Sequence, residues 1–475
     1  MRILEGLKPE KVFYYFEEIS AIPRGSGKTD KIRDYCIDFA KERNLRYNAD
    51  DAGNIVIYKP ANGKTDSETV IIQGHLDMVW EKNDECRIDF EKDGLQLAVE
   101  GDYIRATGTT LGGDDGIAVA MGLALLDSDD IIHPPLEILF TADEEVGMSG
   151  AMGLDATSLK GKRMINLDSE EEGVMWVSCA GGVRADVSLP VSYVNNDGKS
   201  YEISVSGLHG GHSGAEIHKG YANANKVMGR ILSHLAEKEA FLIADIGGGL
   251  MDNAITRDSR CVVSSSGDIS GVVADIFEKI KDDYICADPD IRISATEVSS
   301  SEKVMDEEST KAVIGLLCEL PSGVISMSKS IEGLVETSLN LGILKNRGDS
   351  VSFCFAVRSG VDAEKDKLCQ RLEEIAESFG CGISFKSKYP AWEYKEDSVL
   401  RDKMAEIYRE MYGKDMTVTA IHAGLECGLF CGKINGLDCV SLGPDMIGIH
   451  TPQERLSISS SERVWNYLLK VLEAI

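Results

Sequence analysis

Thr69-Val70-Ile71-Ile72-Gln73-Gly74-His75-Leu76-Asp77 places a short apolar run directly before an imidazole and a carboxylate two residues apart. β-Branched residues favour strands, and a short, continuously apolar run is how a strand buried on both faces reads. Residues i and i+2 of a strand share a face, so Asp77 can stand behind a metal-bound His75 and accept its second ring N–H. Alone, a His-x-Asp is most often a solvated turn.

The same layout recurs along the chain. Leu136-Glu137-Ile138-Leu139-Phe140 leads into Thr141-Ala142-Asp143-Glu144-Glu145, and Arg163-Met164-Ile165-Asn166-Leu167 leads straight into Asp168. Asn54-Ile55-Val56-Ile57-Tyr58 is a further strand-like run, and residues 9–22 and 31–43 carry apolar side chains at helical spacing. Residues 116–126, rich in Ala, Met and Leu, read as a buried helix. Strands alternating with helices predict an α/β domain with a mostly parallel sheet. In such sheets ligands gather beyond the carboxyl ends of the strands, where these His, Glu and Asp residues fall.

After Gly181-Gly182 the texture changes to alternating segments such as Tyr201-Glu202-Ile203-Ser204-Val205, interleaved with helical stretches over 222–235 and 364–379. This predicts an inserted α+β lid domain over 184–383, with the catalytic domain formed by 1–183 and 384–475. A chain of 475 residues exceeds the size at which one core stops growing, in keeping with two domains. A net charge of -29 argues against nucleic acid, whose phosphates need clustered Lys and Arg. No apolar stretch approaches the ~20 residues of a membrane helix. The twelve cysteines include no CxxC pair and the amino-terminal residues show no apolar signal core, so a cytoplasmic protein with reduced thiols is expected.

Two more segments complete the chemistry. Gly112-Gly113-Asp114-Asp115-Gly116 sets carboxylates in a glycine turn before the Ala-rich helix. Helix capping would need only one of them. His450 must return across the sequence to join the first-domain residues. The acids of Asp143-Glu144-Glu145 are costly at this density unless they stay wet or meet a cation. Imidazoles and carboxylates in this mix suit borderline divalent metals, and a carboxylate can bridge two of them.

With His75-Leu76-Asp77-Met78-Val79, the stretch 108–116, Asp143-Glu144-Glu145-Val146-Gly147, Asn166-Leu167-Asp168 and His450-Thr451-Pro452-Gln453-Glu454 in this order, the chain resembles the M20 metallopeptidases over essentially its whole length. Within them it is most similar to the branch of aminoacyl-histidine dipeptidases. The resemblance implies a phosphorylase/hydrolase-like catalytic domain of the zinc exopeptidase type. It implies two zinc ions per chain held by His75, Asp114, Glu145, Asp168 and His450, with Asp114 bridging. Cobalt or manganese would suit the same donors. Asp77 would orient His75, Glu144 would be the general base, and a cis peptide would follow Asp114.

For the lid, the resemblance assigns oxyanion stabilisation to His212, in Leu208-His209-Gly210-Gly211-His212-Ser213-Gly214, with His209 the weaker candidate. It assigns Asn253 and Arg358 to the substrate's carboxylate, and Gly424 and Glu426 to the substrate pocket. Smaller relatives dimerise through their lids. The insert of about 200 residues is roughly twice a lid of one four-stranded α+β unit, and such a doubled lid leaves open a homodimer or a self-sufficient monomer. The expected activity is hydrolysis of unblocked dipeptides, Xaa-His included. A tripeptidase, an N-acyl amino-acid deacylase or a binding protein on the same scaffold are the competing readings.

Overall fold

A computed structural model of the chain describes residues 2–475. They form two compact units, the first running to Ser178 and taking in Tyr394–Ala420 and Leu425–Ile475, the second Cys179–Glu393 with Ile421–Gly424. Among the described residues no helix is long and apolar enough to cross a membrane.

The first unit is built on an eight-stranded sheet whose centre is parallel. Val70–His75 lies between Leu136–Thr141 and Arg163–Asn166, and Asp438–Ser441 extends the parallel run beyond Arg163–Asn166. Antiparallel strands, among them Ile55–Lys59 and Val174–Cys179, flank this core, so the sheet as a whole is mixed. All six residues of Val70–His75 and of Leu136–Thr141 are buried, which is why both read as unbroken apolar runs. The helix Gly113–Leu126 is buried along its entire length. A Cβ on its Gly122 would lie 2.8 Å from Ile138 and Phe140, so glycine lets this helix press onto the sheet.

A second, four-stranded sheet of this unit brings the carboxyl-terminal segment to the first-domain residues. Arg455–Ser457 pairs with both Met446–Ile447 and Tyr103–Ala106. His450 sits in the loop between Met446–Ile447 and Arg455–Ser457, and Tyr103–Ala106 precedes the turn of Asp114.

The second unit holds one nine-stranded antiparallel sheet and four helices of eleven residues or more that share one apolar core. It contains a nested repeat. Lys199–Ser206, Ala224–Ala236, Phe241–Gly248, Ser259–Ser265, Ser270–Ile280 and Arg292–Val298 form one βαββαβ unit. Gly181–Pro190, Glu307–Glu319, Val335–Asn346, Ser350–Ser359, Asp362–Ser378 and Gly382–Tyr389 form the other, with the first inserted after its opening strand. Both halves stack their four strands in the same order and join antiparallel through their second strands, Gly247 and Gly248 facing Lys345 and Leu344. The edges expected at 183 and 383 would cut through two paired strands, because Gly382–Tyr389 pairs with Gly181–Pro190.

Candidate metal centre and lid cluster

In the first unit the parallel strands deliver their acids and imidazoles to one place. His75 Nε2 lies 3.0 Å from Asp114 Oδ1 and 3.4 Å from Asp168 Oδ1. His450 Nε2 lies 3.2 Å from Asp114 Oδ2 and 2.9 Å from Glu145 Oε1. The two oxygens of Asp114 therefore face different imidazoles. His75, Asp114 and Glu145 present ligand atoms all within 4.8 Å of one another, and so do His75, Asp115 and Asp168. The peptide between Asp114 and Asp115 is cis, and His450 is held at a φ of 60°.

Behind these groups stands a layer of buried support. Asp77 is fully buried; its Oδ1 accepts the Glu144 N–H at 3.0 Å, and its Oδ2 accepts the Glu145 N–H at 3.3 Å and the Ser26 hydroxyl at 2.8 Å. His75 Nδ1 faces the Asp77 carbonyl at 3.1 Å and the Asp77 carboxylate at 3.4 Å. Asp77 thus holds the backbone of both glutamates as well as the ring. Below them runs a polar chain: Asn166 donates to Gln73, which donates to Glu426, and Thr141 donates to the same Glu426 oxygen.

Electrostatically the centre is strained by its own charge. Burial pushes the Glu144 carboxyl well above the ordinary range, and brings Asp168 and Glu170 to about 7 and Glu426 to about 8. Burial opposes ionisation of Asp114 too, but hydrogen bonds from His450 and His75 hold it well below the usual carboxylate range. The same contacts with Asp114 and Glu145 raise His450 to about 10. Crowded acids that retain protons beside imidazoles that gain them are what divalent cations would relieve, and the donor set fits such ions.

The second unit gathers its own polar cluster. The Nδ1 of His212 accepts N–H groups from Gly214 at 3.3 Å and Ala215 at 3.0 Å. Burial and then the Arg358 guanidinium lower its pKa, so the ring is neutral with its proton on Nε2. Ser213 donates to the Asn253 carbonyl at 2.8 Å, which ties the Asn253 hairpin to the His212 turn. Arg358 donates to the Tyr389 hydroxyl at 3.0 Å, and its buried Nε has no hydrogen-bond partner. A Cβ on Gly214 would lie 3.0 Å from His212 and 3.3 Å from Arg358, and one on Gly424 2.8 Å from Tyr389. His212 and Asn253 come from the inner βαββαβ half, Arg358 and Tyr389 from the outer one.

Residues 71–474 match the model of peptidase family M20/M25/M40. The chain belongs to that family. It is 35% identical over 482 residues to the cytosol non-specific dipeptidase of Escherichia coli (strain K12), covering 100% of this chain and 99% of the relative. The crystal structure of aminoacylhistidine dipeptidase from Vibrio alginolyticus matches with a TM-score of 0.94 at 34% identity, covering 99% of this chain and 98% of that one. A tripeptidase from Staphylococcus aureus shares the fold at a TM-score of 0.57 and 14% identity, with 98% of each chain covered. The resemblance read from the motifs, and the α/β fold with an inserted α+β domain, are borne out.

Within this M20 peptidase not every residue singled out from sequence stands where expected. Glu426, expected to line the substrate pocket, is fully buried on Gln73 and Thr141, so it supports the floor of the centre. His209 is engaged elsewhere, its Nδ1 3.1 Å from buried Asp288 and its ring stacked on Tyr221. Asp115 is more than a neighbour of Asp114: it is fully buried and accepts the His75 backbone N–H at 3.1 Å. Glu170, Arg24 and Glu454 also stand close to this cluster. Glu170 and Glu454 lie two residues after Asp168 and four after His450, but nothing in the sequence marks either as buried.

Proposed function

We propose that this M20 peptidase is a two-metal dipeptidase that hydrolyses unblocked dipeptides, Xaa-His among them. The observation that carries the reading is Asp114, whose two oxygens meet His75 on one side and His450 on the other. His75, Asp114, Glu145, Asp168 and His450 would hold the ions, with zinc, cobalt or manganese all suited to the donors. When bound, the ions supply Lewis acidity toward a water and the scissile carbonyl.

Glu144, its backbone fixed by Asp77, takes the proton of the attacking water and returns it to the leaving amine. His212 offers Nε2–H to the oxyanion, since its Nδ1 is already engaged as an acceptor. Arg358 and Asn253 take the peptide's carboxylate, the guanidinium in a fork geometry suited to that group. Gly424 keeps space beside Tyr389. His212 lies in the inner βαββαβ half and Arg358 in the outer one, and a homodimer and a self-sufficient monomer both stay open. The Escherichia coli relative is named for the cytosol, and a cytoplasmic location is proposed here too.

The test is hydrolysis of β-Ala-His, Ala-His, Gly-Gly-Gly and acetyl-Met by metal-loaded protein and by Glu144→Ala, with bound metal counted. Cleavage of the dipeptides alone, lost in the variant while about two metals per chain remain, is expected. Metal without dipeptide turnover would remove the substrate assignment. A protein that binds no metal would remove the whole reading.

A further inference from the structure

Glu454 ends the His450 segment and has no part in the chemistry above. It is buried, and its carboxylate is committed to a single stretch of backbone. Oε2 accepts the N–H groups of Leu111 at 2.7 Å and Gly112 at 3.0 Å; Oε1 accepts those of Gly113 at 2.7 Å and Asp114 at 3.4 Å. Four consecutive amides converging on one carboxylate form an anion nest, filled here by the protein itself.

The turn is gripped from its other side by Arg24, whose guanidinium is buried as well. Arg24 donates to the carbonyl of Gly112, and to those of Leu76 at 3.1 Å and Asp77 at 3.0 Å. Gly112 adopts a φ of 62° and a Cβ there would lie 2.7 Å from Met78 Sδ, while one on Gly113 would lie 3.3 Å from Glu454 Oε1. Glycine is needed at 112 for the guanidinium to close on the turn, whereas a side chain at 113 would only crowd the carboxylate by a few tenths of an ångström. Glu454 and Arg24 therefore fix the backbone of Asp114 relative to His450 on one side and to His75 on the other.

We propose that Glu454 is a positioning residue for metal binding: through its nest it sets Asp114 so that each carboxylate oxygen faces its own imidazole. The inference rests on Asp114 being a metal ligand. A Gln at 454 would turn an amide NH₂ toward two of the four backbone N–H groups and free them. Partners that orient ligands from behind typically change metal affinity about 10- to 100-fold.

A matched control exists in the same unit. Glu137 is also buried and accepts the backbone N–H groups of Lys160 and Gly161, but its nest lies toward the opposite end of the parallel strands. Zinc affinity would be measured by competition with a chromophoric chelator for the full chain, Glu454→Gln, Glu454→Asp and Glu137→Gln, alongside thermal unfolding of each metal-free protein.

Glu454→Gln is expected to weaken zinc binding about 10- to 100-fold, with Glu454→Asp intermediate. Glu137→Gln should lower the unfolding temperature and leave zinc affinity unchanged. With metal saturating, Glu454→Gln should lower kcat more than it raises KM, because the ligands and not the substrate contacts are displaced. Zinc affinity of folded Glu454→Gln within about threefold of the parent, or an equal loss in Glu137→Gln, would overturn the proposal. If Glu454→Gln does not fold, Glu454→Asp is judged by the same criterion. Failure of the parent protein to bind zinc would instead strike the metal reading itself.

Discussion

Replacing Asp77 by Asn removes one carboxylate charge and one acceptor from a buried group that serves three donors and the His75 ring. In the parent, Asp77 accepts N–H groups from Glu144 at 3.0 Å and Glu145 at 3.3 Å, and the Ser26 hydroxyl at 2.8 Å. Whichever way the amide turns, its NH₂ faces a backbone N–H of one of the two glutamates. A hydrogen bond to a charged group contributes roughly 1.5–3 kcal/mol, and a buried donor left unpaired costs about 1–3 kcal/mol. The His75 ring keeps its contact with the Asp77 carbonyl, so its tautomer survives. The loss thus falls on the backbone that aims Glu144 and Glu145. Zinc affinity should drop about 10- to 100-fold, equivalent to roughly 1.4–2.8 kcal/mol, and kcat should fall further than metal loss explains. Chelator competition on the metal-free proteins, with circular dichroism to establish folding, gives the first quantity; turnover at saturating zinc gives the second. A folded Asp77→Asn with parental zinc affinity and parental kcat would refute the reasoning.

Zinc affinity should fall with pH below neutrality, about tenfold per pH unit for each proton displaced, because Asp168 and Glu170 stand near 7 and His450 near 10 without metal; proton release measured by calorimetry in two buffers checks this. Native Asp168 and Glu426, at about 7 and 8, hold protons that an unfolded chain with ordinary carboxyls near ~4 has released. The metal-free protein should therefore lose stability as pH rises from about 5 to 8, and zinc should abolish the trend in thermal unfolding. His212→Ala should cost about 10²–10³ in kcat with zinc content unchanged, as expected for one oxyanion donor. Gly122→Val should destabilise the protein by about 1–3 kcal/mol in urea unfolding, since its Cβ would meet Ile138 and Phe140 at 2.8 Å. Mixing His212→Ala with Glu144→Ala decides between the two oligomeric readings: a self-sufficient monomer restores no activity, and restored turnover would sink it.

The central strands and the acids beyond their ends were legible because both depend on local pattern. Val70–His75 and Leu136–Thr141 are unbroken apolar runs for a physical reason, burial on both faces, and the polar residues begin where the sheet ends. The route of His450 was not legible. It depends on Arg455–Ser457 pairing with Tyr103–Ala106, a contact that leaves no periodic mark in either segment. The doubling of the lid was legible from its length, but the nesting of one βαββαβ unit inside the other was not, the outer half being split by more than a hundred residues. Glu454 and Arg24 were hidden by composition, since a Glu or Arg in a Gly- and Pro-containing loop reads as solvated, and only the fold shows that both are buried.

The supporting contacts also have an order that explains why so many acids are buried here. Turns beyond the carboxyl ends of strands leave backbone N–H groups without sheet partners, and such groups are costly when buried. In this centre those amides are taken by carboxylates from other ligand-bearing segments. Asp77, beside His75, takes the amides of Glu144 and Glu145. Asp115, beside Asp114, takes the amide of His75. Glu454, near His450, takes the amides leading to Asp114. Three of the five segments proposed to offer a ligand thereby position another, and displacing one of these turns loosens the next. Losses from Asp77→Asn and Glu454→Gln should accordingly combine non-additively in zinc affinity, whereas apolar packing at separate sites would make them add.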